Sequence, residues 1–62
     1  MDAYELLVQQ IDEKVQQLKD HVVTGNIDTF DEYKRLCGEV RGLLTAKGYT
    51  LDLKQRMEHS DE

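Results

Sequence analysis

Few side chains in this sequence belong to types that perform chemistry, and their spacing does not assemble a site. The single cysteine, Cys37, falls on a predicted apolar helix face, without a histidine nearby in the pattern to serve as its base. The two histidines, His21 and His59, each lie near a predicted helix C-terminus, and they do not show metal-ligand spacing. We therefore expect no catalytic residue, no cofactor and no metal, and we predict that the chain is not an enzyme.

Two pairs of adjacent acids and one glycine-rich stretch are the remaining candidates for chemistry. Asp12–Glu13 and Asp31–Glu32 are sequence neighbours, so on a helix their side chains point about 100° apart, towards solvent. The stretch GEVRG, residues 38–42, lies within a predicted helix and lacks the lysine and hydroxyl of a phosphate-binding loop. Neither pattern predicts catalysis or nucleotide binding.

The net charge and the single cysteine indicate which partners and which cellular compartment to expect. The 62 residues form one domain at most, and a formal net charge of −5 argues against a nucleic-acid partner, which needs a basic face. Because the start MDAYELL is acidic and lacks a basic segment, we expect no secretory signal, and no apolar run in the sequence approaches the roughly 20 residues that span a bilayer. A lone cysteine forms no internal disulfide. We expect a reducing intracellular compartment and no membrane partner.

Charge is divided unevenly along the chain. Residues 1–32 hold eight acids and two lysines, a charge of −6, whereas residues 33–56 hold six cations and two acids, a charge of +4. The three acids of the tail supply the remaining −3. Complementary halves favour packing of the first segment on the second, although exposed ion pairs stabilise by only about 0–1 kcal/mol each.

The first half of the sequence predicts a helix over 3–23. Its apolar residues follow the alternating three- and four-residue spacing of a coiled-coil seam, and they are Tyr4, Val8, Ile11, Val15, Leu18 and Val22. Leu7 widens this seam, and Asp2 with Glu5 resembles a capping box. The turn over 24–29 contains Gly25, which suits the left-handed position after a helix.

A second helix is predicted over 30–57, where Thr29 and Glu32 have capping-box spacing. We place its seam at Phe30, Tyr33, Cys37, Val40 and Leu44, with Leu36 and Leu43 beside it. Gly48 marks a point near which this helix could break, because glycine disfavours a helix. Residues 58–62 are typical of an acidic tail. The fold class is therefore all-α: an antiparallel two-helix hairpin with an extended or kinked second helix, in one domain over 1–62.

Small residues recur every fourth position in the second helix, at Gly38, Gly42 and Ala46. Glycine within a helix costs roughly 0.5–1 kcal/mol relative to alanine, so this stripe needs a compensating close contact. One interpretation is contact with a helix of another protein. The alternative is that the glycines accommodate bulky residues of the first helix, such as Tyr4 or Leu7.

The C-terminal arm carries further apolar residues that a shorter first helix would leave uncovered, namely Tyr49, Leu51, Leu53 and Met57. Together with Gly38, Gly42 and Ala46 they form the predicted partner interface. Even about fourteen buried apolar side chains would leave a lone hairpin marginal against the entropy of ordering. We therefore expect a homo-oligomer or a part of a larger assembly.

The run FDEYKRLCGEVRGLLTA, followed by LDLKQRMEHSDE, resembles a group of small tailed-bacteriophage proteins encoded near virion structural genes. The matching pattern places Phe30, Glu32, Tyr33, Leu36, Gly38, Val40, Gly42 and Leu43 before Asp52 and Leu53. The leading helix, LLVQQIDEKVQQLKD, is similar too. The resemblance implies a phage structural or assembly role, in the virion or the host cytoplasm.

Two functions follow as hypotheses. The first is a non-enzymatic structural or assembly protein, a helical module that binds a larger virion protein (portal, capsid or connector) or itself. The alternative is an acidic inhibitor that docks on the basic surface of a host nucleic-acid-associated enzyme, an interaction that salt would weaken steeply.

Overall fold

The computed structural model describes residues 2–25 and 27–59 and contains two helices in this part of the chain. Helix α1 spans Ala3–Val23 and helix α2 spans Phe30–His59. They pack against each other as an antiparallel hairpin, which confirms the predicted fold class. The protein is accordingly elongated, with dimensions of 52 × 19 × 11 Å.

Short-range hydrogen bonds explain where each helix begins. The Asp2 carboxylate accepts a 2.7 Å bond from the Glu5 amide, and the Thr29 hydroxyl accepts a 3.1 Å bond from the Glu32 amide. Each bond satisfies an amide that a helix start leaves without an intrahelical partner. Gly25, with φ of 81°, has the left-handed conformation predicted for it after the end of α1.

Helix α2 continues without interruption through Gly48, so the break considered from the sequence does not occur. The Thr50 hydroxyl donates to the Ala46 carbonyl at 2.9 Å, across the turn that contains this glycine. The helix also extends two residues beyond Met57, and it includes Glu58 and His59. These two residues therefore belong to the helix and not to the tail; residues 60–62 of the tail lie outside the described residues.

Two sets of ion pairs align the helices. The Lys47 ammonium lies 2.8 Å from the Asp12 carboxylate, and the Lys54 ammonium lies 2.8 Å from Glu5 and 3.7 Å from Asp2. Asp12 and Glu5 are seven residues apart, as are Lys47 and Lys54, so the same alignment holds over one heptad. The unlike charges of the two halves therefore meet within the hairpin.

The core is a single narrow seam. Within the described chain, four apolar side chains are buried, far fewer than the estimate of about fourteen from the sequence: Ile11, Val15, Leu18 and Leu36. The half-buried residues Tyr4, Val8 and Val22 complete the predicted seam of α1. That prediction is confirmed.

The predicted seam of α2 is wrong by about one residue of helix rotation. Leu36 is the most buried side chain, with 3% exposed, whereas Phe30 is 71% exposed and Tyr33 and Leu44 are also exposed. The positions that face α1 are 36, 40, 43, 47, 50 and 54, in which Leu36 and Leu43 replace Tyr33 and Leu44. Only this rotation brings the two lysines to the acids of α1 while branched aliphatic residues cover its apolar seam.

The predicted overhang of α2 is also shorter than expected. Because Lys54 contacts Asp2 and Glu5, α1 covers α2 as far as residue 54. Tyr49, Leu51 and Leu53 lie alongside α1, and they are exposed because they occupy the flanks of α2. Of the predicted overhang residues, Met57 alone lies beyond the start of α1.

We predict that Leu36→Ala unfolds the hairpin. Removing a buried leucine costs about 2–5 kcal/mol, which is large for a seam with so few buried side chains. Circular dichroism during thermal denaturation measures the loss. Leu6→Ala is the matched control because Leu6 is half exposed, and it should change the stability by about 0.5 kcal/mol or less. Equal effects of both changes would contradict the described seam.

We predict that Lys54 stabilises the fold in a pH-dependent manner. Its hydrogen bond with Glu5 raises the pKa of the Lys54 ammonium above the ordinary 10.5, and the charges of Asp2, Glu5 and Glu58 act in the same direction against desolvation. A raised folded-state pKa gives stabilisation that is complete below about pH 10.5 and lost as pH rises through the folded-state value.

Lys54→Gln should therefore lower the melting temperature at pH 7, and the difference from the wild type should shrink above pH 10.5. Lys14→Gln removes an exposed lysine of α1 and serves as the control for the loss of one positive charge. A difference that is constant from about pH 7 to about pH 11 would contradict this role of Lys54.

Candidate protein-interaction surfaces

Six of the seven predicted interface residues lie on one flank of α2. At about 100° per residue they occupy a band about 100° wide, and we call this the glycine face: Gly38, Gly42, Ala46, Tyr49, Leu53 and Met57. Tyr49 is 73% exposed, Leu53 and Met57 are about half exposed, and Ala46 is half-buried at the edge nearer α1. The structure therefore joins the predicted small-residue stripe to most of the predicted C-terminal apolar residues.

The two glycines of this face do not accommodate the first helix. A Cβ atom added to Gly38 or Gly42 would have no neighbouring atom within 4 Å. Tyr4 and Leu7 thus do not pack into these positions, and the intramolecular explanation of the stripe is wrong. The space over the glycines remains open in the hairpin.

The seventh predicted residue, Leu51, lies on the opposite flank. A spacing of seven residues relates it to Leu44, Cys37 and Phe30. Residues seven apart lie on the same side of a helix, so these four share one flank of α2. With Tyr33 and Val40 between them they form what we call the α2 apolar stripe, which contains every residue of the seam predicted for α2. The periodicity is real, but apart from Val40 at its inner edge it marks an outward flank of α2 and not the contact with α1.

A groove of about 510 Å³ lies between the α2 apolar stripe and the end of α1. Its walls are largely apolar, with one cation from each helix, and the residues that line it are Lys19, Val22, Val23, Tyr33, Leu36, Cys37, Val40, Arg41 and Leu44. The groove gives the hairpin a second candidate docking surface, which the sequence did not predict because the rotation of α2 was not known.

Local contacts order the aromatic end of the stripe. The Phe30 and Tyr33 rings stack with centroids 6.2 Å apart, and the Lys34 ammonium lies 5.4 Å from the Phe30 centroid. A hydrogen bond with the Cys37 side chain raises the pKa of the Tyr33 hydroxyl, and the charge of a Cys37 thiolate and burial act in the same direction. Cys37 itself is half-buried.

The histidines and acids of the described residues form no metal-binding cluster. His21 and His59 lie in the last turns of α1 and α2, as predicted, and no group of three His, Cys, Asp or Glu side chains in residues 2–25 and 27–59 could hold a metal ion. Neither described helix has both the length and the apolar content needed to cross a bilayer.

A scan against protein-family models, a search of curated proteins and a search of solved structures found no match to this chain.

We predict that a small substitution at Gly42 stabilises the fold, whereas a large one prevents binding of a partner. Gly42→Ala should stabilise the folded chain, in whatever state of association it folds, by about 0.5–1 kcal/mol, since the new methyl group meets no atom within 4 Å and alanine is the better helix former. Gly42→Leu should retain the helicity of the isolated chain but abolish binding of a partner that packs on the glycine face. Urea denaturation measures the first effect, and co-purification with the partner measures the second. Retained partner binding after Gly42→Leu would contradict the glycine-face contact.

Proposed function

We propose that this protein is a non-enzymatic helical interaction module, a small structural or assembly protein of a tailed bacteriophage. It would bind a larger virion protein, such as portal, capsid or connector, or a second copy of itself, in the virion or the host cytoplasm. The partner would cover the apolar flanks of α2, so that folding and association are coupled.

The observation that carries the proposal is the imbalance between buried and exposed apolar side chains. Four are buried in the described chain, whereas ten large ones are exposed, and the ten are Leu6, Leu7, Val23, Phe30, Tyr33, Leu44, Tyr49, Leu51, Leu53 and Met57. Single exposed apolar residues are ordinary on protein surfaces, but those of α2 fall into two ordered bands. Such bands are typical of helix faces that pack on another protein.

The phage assignment is supported by the sequence resemblance alone. The residues that carry the resemblance have several structural roles: Leu36 is in the core, Gly38 and Gly42 are on the glycine face, and Tyr33 is on the α2 apolar stripe. The pattern therefore combines folding positions with exposed ones, as expected of a module whose outer surface has a function.

The alternative, an acidic inhibitor of a host enzyme, has less support. Asp2, Glu5 and Asp12 of α1 are engaged with Lys47 and Lys54 inside the hairpin, so these acids are partly neutralised. The large apolar side chains of α2 outside the core, in contrast, remain exposed in the described hairpin and fall into two bands.

Sedimentation equilibrium with circular dichroism over a concentration series tests the proposed function. We expect the helicity of the purified chain to rise with association, or to remain low in a monomer until a partner is added. A fully helical monomer that unfolds cooperatively at micromolar concentration would contradict the proposal, because such a chain would need no further burial.

A further inference from the structure

The groove lies on one side of the hairpin, and residues of both helices line it. The groove shows that Lys19 and Val23 of α1 lie on the same side as Cys37 and Leu44 of α2. Asp12 is seven residues before Lys19 and therefore shares this side of α1, as Leu51 shares it on α2. We call this side the groove side. It is distinct from the glycine face, which lies on the other flank of α2.

The exposed area indicates how much surface a partner should cover. The chain exposes 4913 Å² of solvent-accessible surface. A compact protein of 7.2 kDa exposes about 4,100 Å² by the scaling of surface with mass, so the excess is roughly 800 Å². Each partner of a typical stable protein complex buries about 800 Å². A partner of the size of a second hairpin is therefore sufficient.

We propose that the groove side binds a second copy of this chain about a two-fold axis, giving an antiparallel four-helix dimer. The inference rests on the proposed function, since it names the partner for one of the two surfaces. In a two-fold contact the same patch is used by both copies, so the patch must be complementary to itself when reversed.

The α1 part of the groove side is complementary to itself in charge. If two α1 helices run antiparallel with the axis midway between residues 15 and 16, Asp12 of one copy lies opposite Lys19 of the other. The same register places the exposed Val23 opposite Val8. Each dimer would contain two Asp12–Lys19 pairs. Lys19 has no ion pair within the described hairpin, and Asp12 would be shared between Lys19 of the second copy and Lys47 of its own chain, which lies 2.8 Å away.

The α2 part of the groove side is complementary to itself in shape about Leu44. An axis at this residue packs the two Leu44 side chains together, places Cys37 opposite Leu51 of the second copy, and places Val40 opposite Gly48. Gly48 has open space where a Cβ atom would be, so the valine has room. The exposed Leu44 and Leu51 would thereby gain apolar contacts, whereas Phe30 and Tyr33 would lie opposite Glu58 and Gln55 at the ends of the contact.

The two axes coincide because of the way the hairpin itself is aligned. The Asp12–Lys47 ion pair puts residue 12 level with residue 47, so residue 15 is level with residue 44. To within half a residue, about 0.75 Å along the helix, one axis therefore passes both Leu44 and the point between residues 15 and 16.

A competing register is disfavoured by charge. An axis between residues 40 and 41 would pair Phe30 with Leu51 and Cys37 with Leu44, and these contacts are also apolar. However, it would place Lys19 near Lys19 of the second copy, whereas the axis at Leu44 places Lys19 opposite Asp12. Like charges juxtaposed in a contact are unfavourable, so the axis at Leu44 is selected.

Disulfide trapping tests the register. In Leu51→Cys with Cys37 retained, oxidised glutathione should convert more than half of the chain into covalent dimer, because the introduced thiol lies opposite Cys37 of the second copy. An intrachain bond is excluded, since residues 37 and 51 are about 21 Å apart along α2, beyond the reach of about 7 Å between disulfide Cα atoms. Leu51→Cys combined with Cys37→Ser should give only background amounts of covalent dimer.

Leu53→Cys is the matched control, because Leu53 and Leu51 are 47% and 46% exposed but lie on opposite flanks. We expect it to give at most a tenth of the covalent dimer of Leu51→Cys. Lys19→Glu should raise the dimer dissociation constant about tenfold in sedimentation equilibrium, since two pairs are reversed in each dimer.

The outcomes separate this inference from the proposed function. Covalent dimer from Leu51→Cys that requires Cys37 supports the inference. A dimer in sedimentation without this cross-link, or with equal cross-linking of Leu53→Cys, overturns the groove-side contact and leaves the proposed function standing. A weakly helical monomer at every concentration also overturns the inference, while it supports a different protein as the partner.

Discussion

Two helices touch along one line, and this geometric constraint governs the rest of the structure. A helix in a larger protein can bury side chains against several neighbours, whereas each helix of a hairpin buries only the strip that faces the other. Here that strip contains three residues of α1 and one of α2 that are buried in the described chain. Hydrophobic stabilisation scales with the area removed from water, so the hairpin has little of it.

The same constraint gives electrostatics an unusual importance for specificity. With few apolar contacts to distinguish one rotation or sliding position from another, the Asp12–Lys47 and Glu5–Lys54 pairs select the alignment. Exposed ion pairs contribute little to stability, but a pair that is made in one register and lost in another still favours that register. The aliphatic parts of Lys47 and Lys54 also cover part of the seam where apolar residues are missing.

Because α1 contacts only one strip of α2, the apolar residues on both flanks of α2 remain exposed. The flank with the α2 apolar stripe adjoins a groove and carries cations at its edge, whereas the glycine face is smooth at Gly38 and Gly42 and apolar towards Met57. The two faces differ in shape and charge, so they suit different partners. A module that associates with itself through one face and with a larger protein through the other would be consistent with both.

Local sequence determined most of the secondary structure. Asp2 and Thr29 specify helix starts because each supplies a side-chain oxygen to an amide three residues later, and Gly25 permits the left-handed turn between the helices. The seam of α1 could be predicted as well, because one apolar band stands out on a helix whose other sides are mostly polar. These features depend on residues within one or two turns of each other.

Only the tertiary structure decided which side of α2 meets α1. Two apolar bands overlap in this helix, one through Leu36 and Leu43 and one through Cys37 and Leu44, and periodicity cannot rank them. The choice depends on Lys47 and Lys54 reaching acids that are 35 and 49 residues away in sequence. The glycine face could be predicted from spacing, but the groove required knowledge of the rotation, because it is built from both helices.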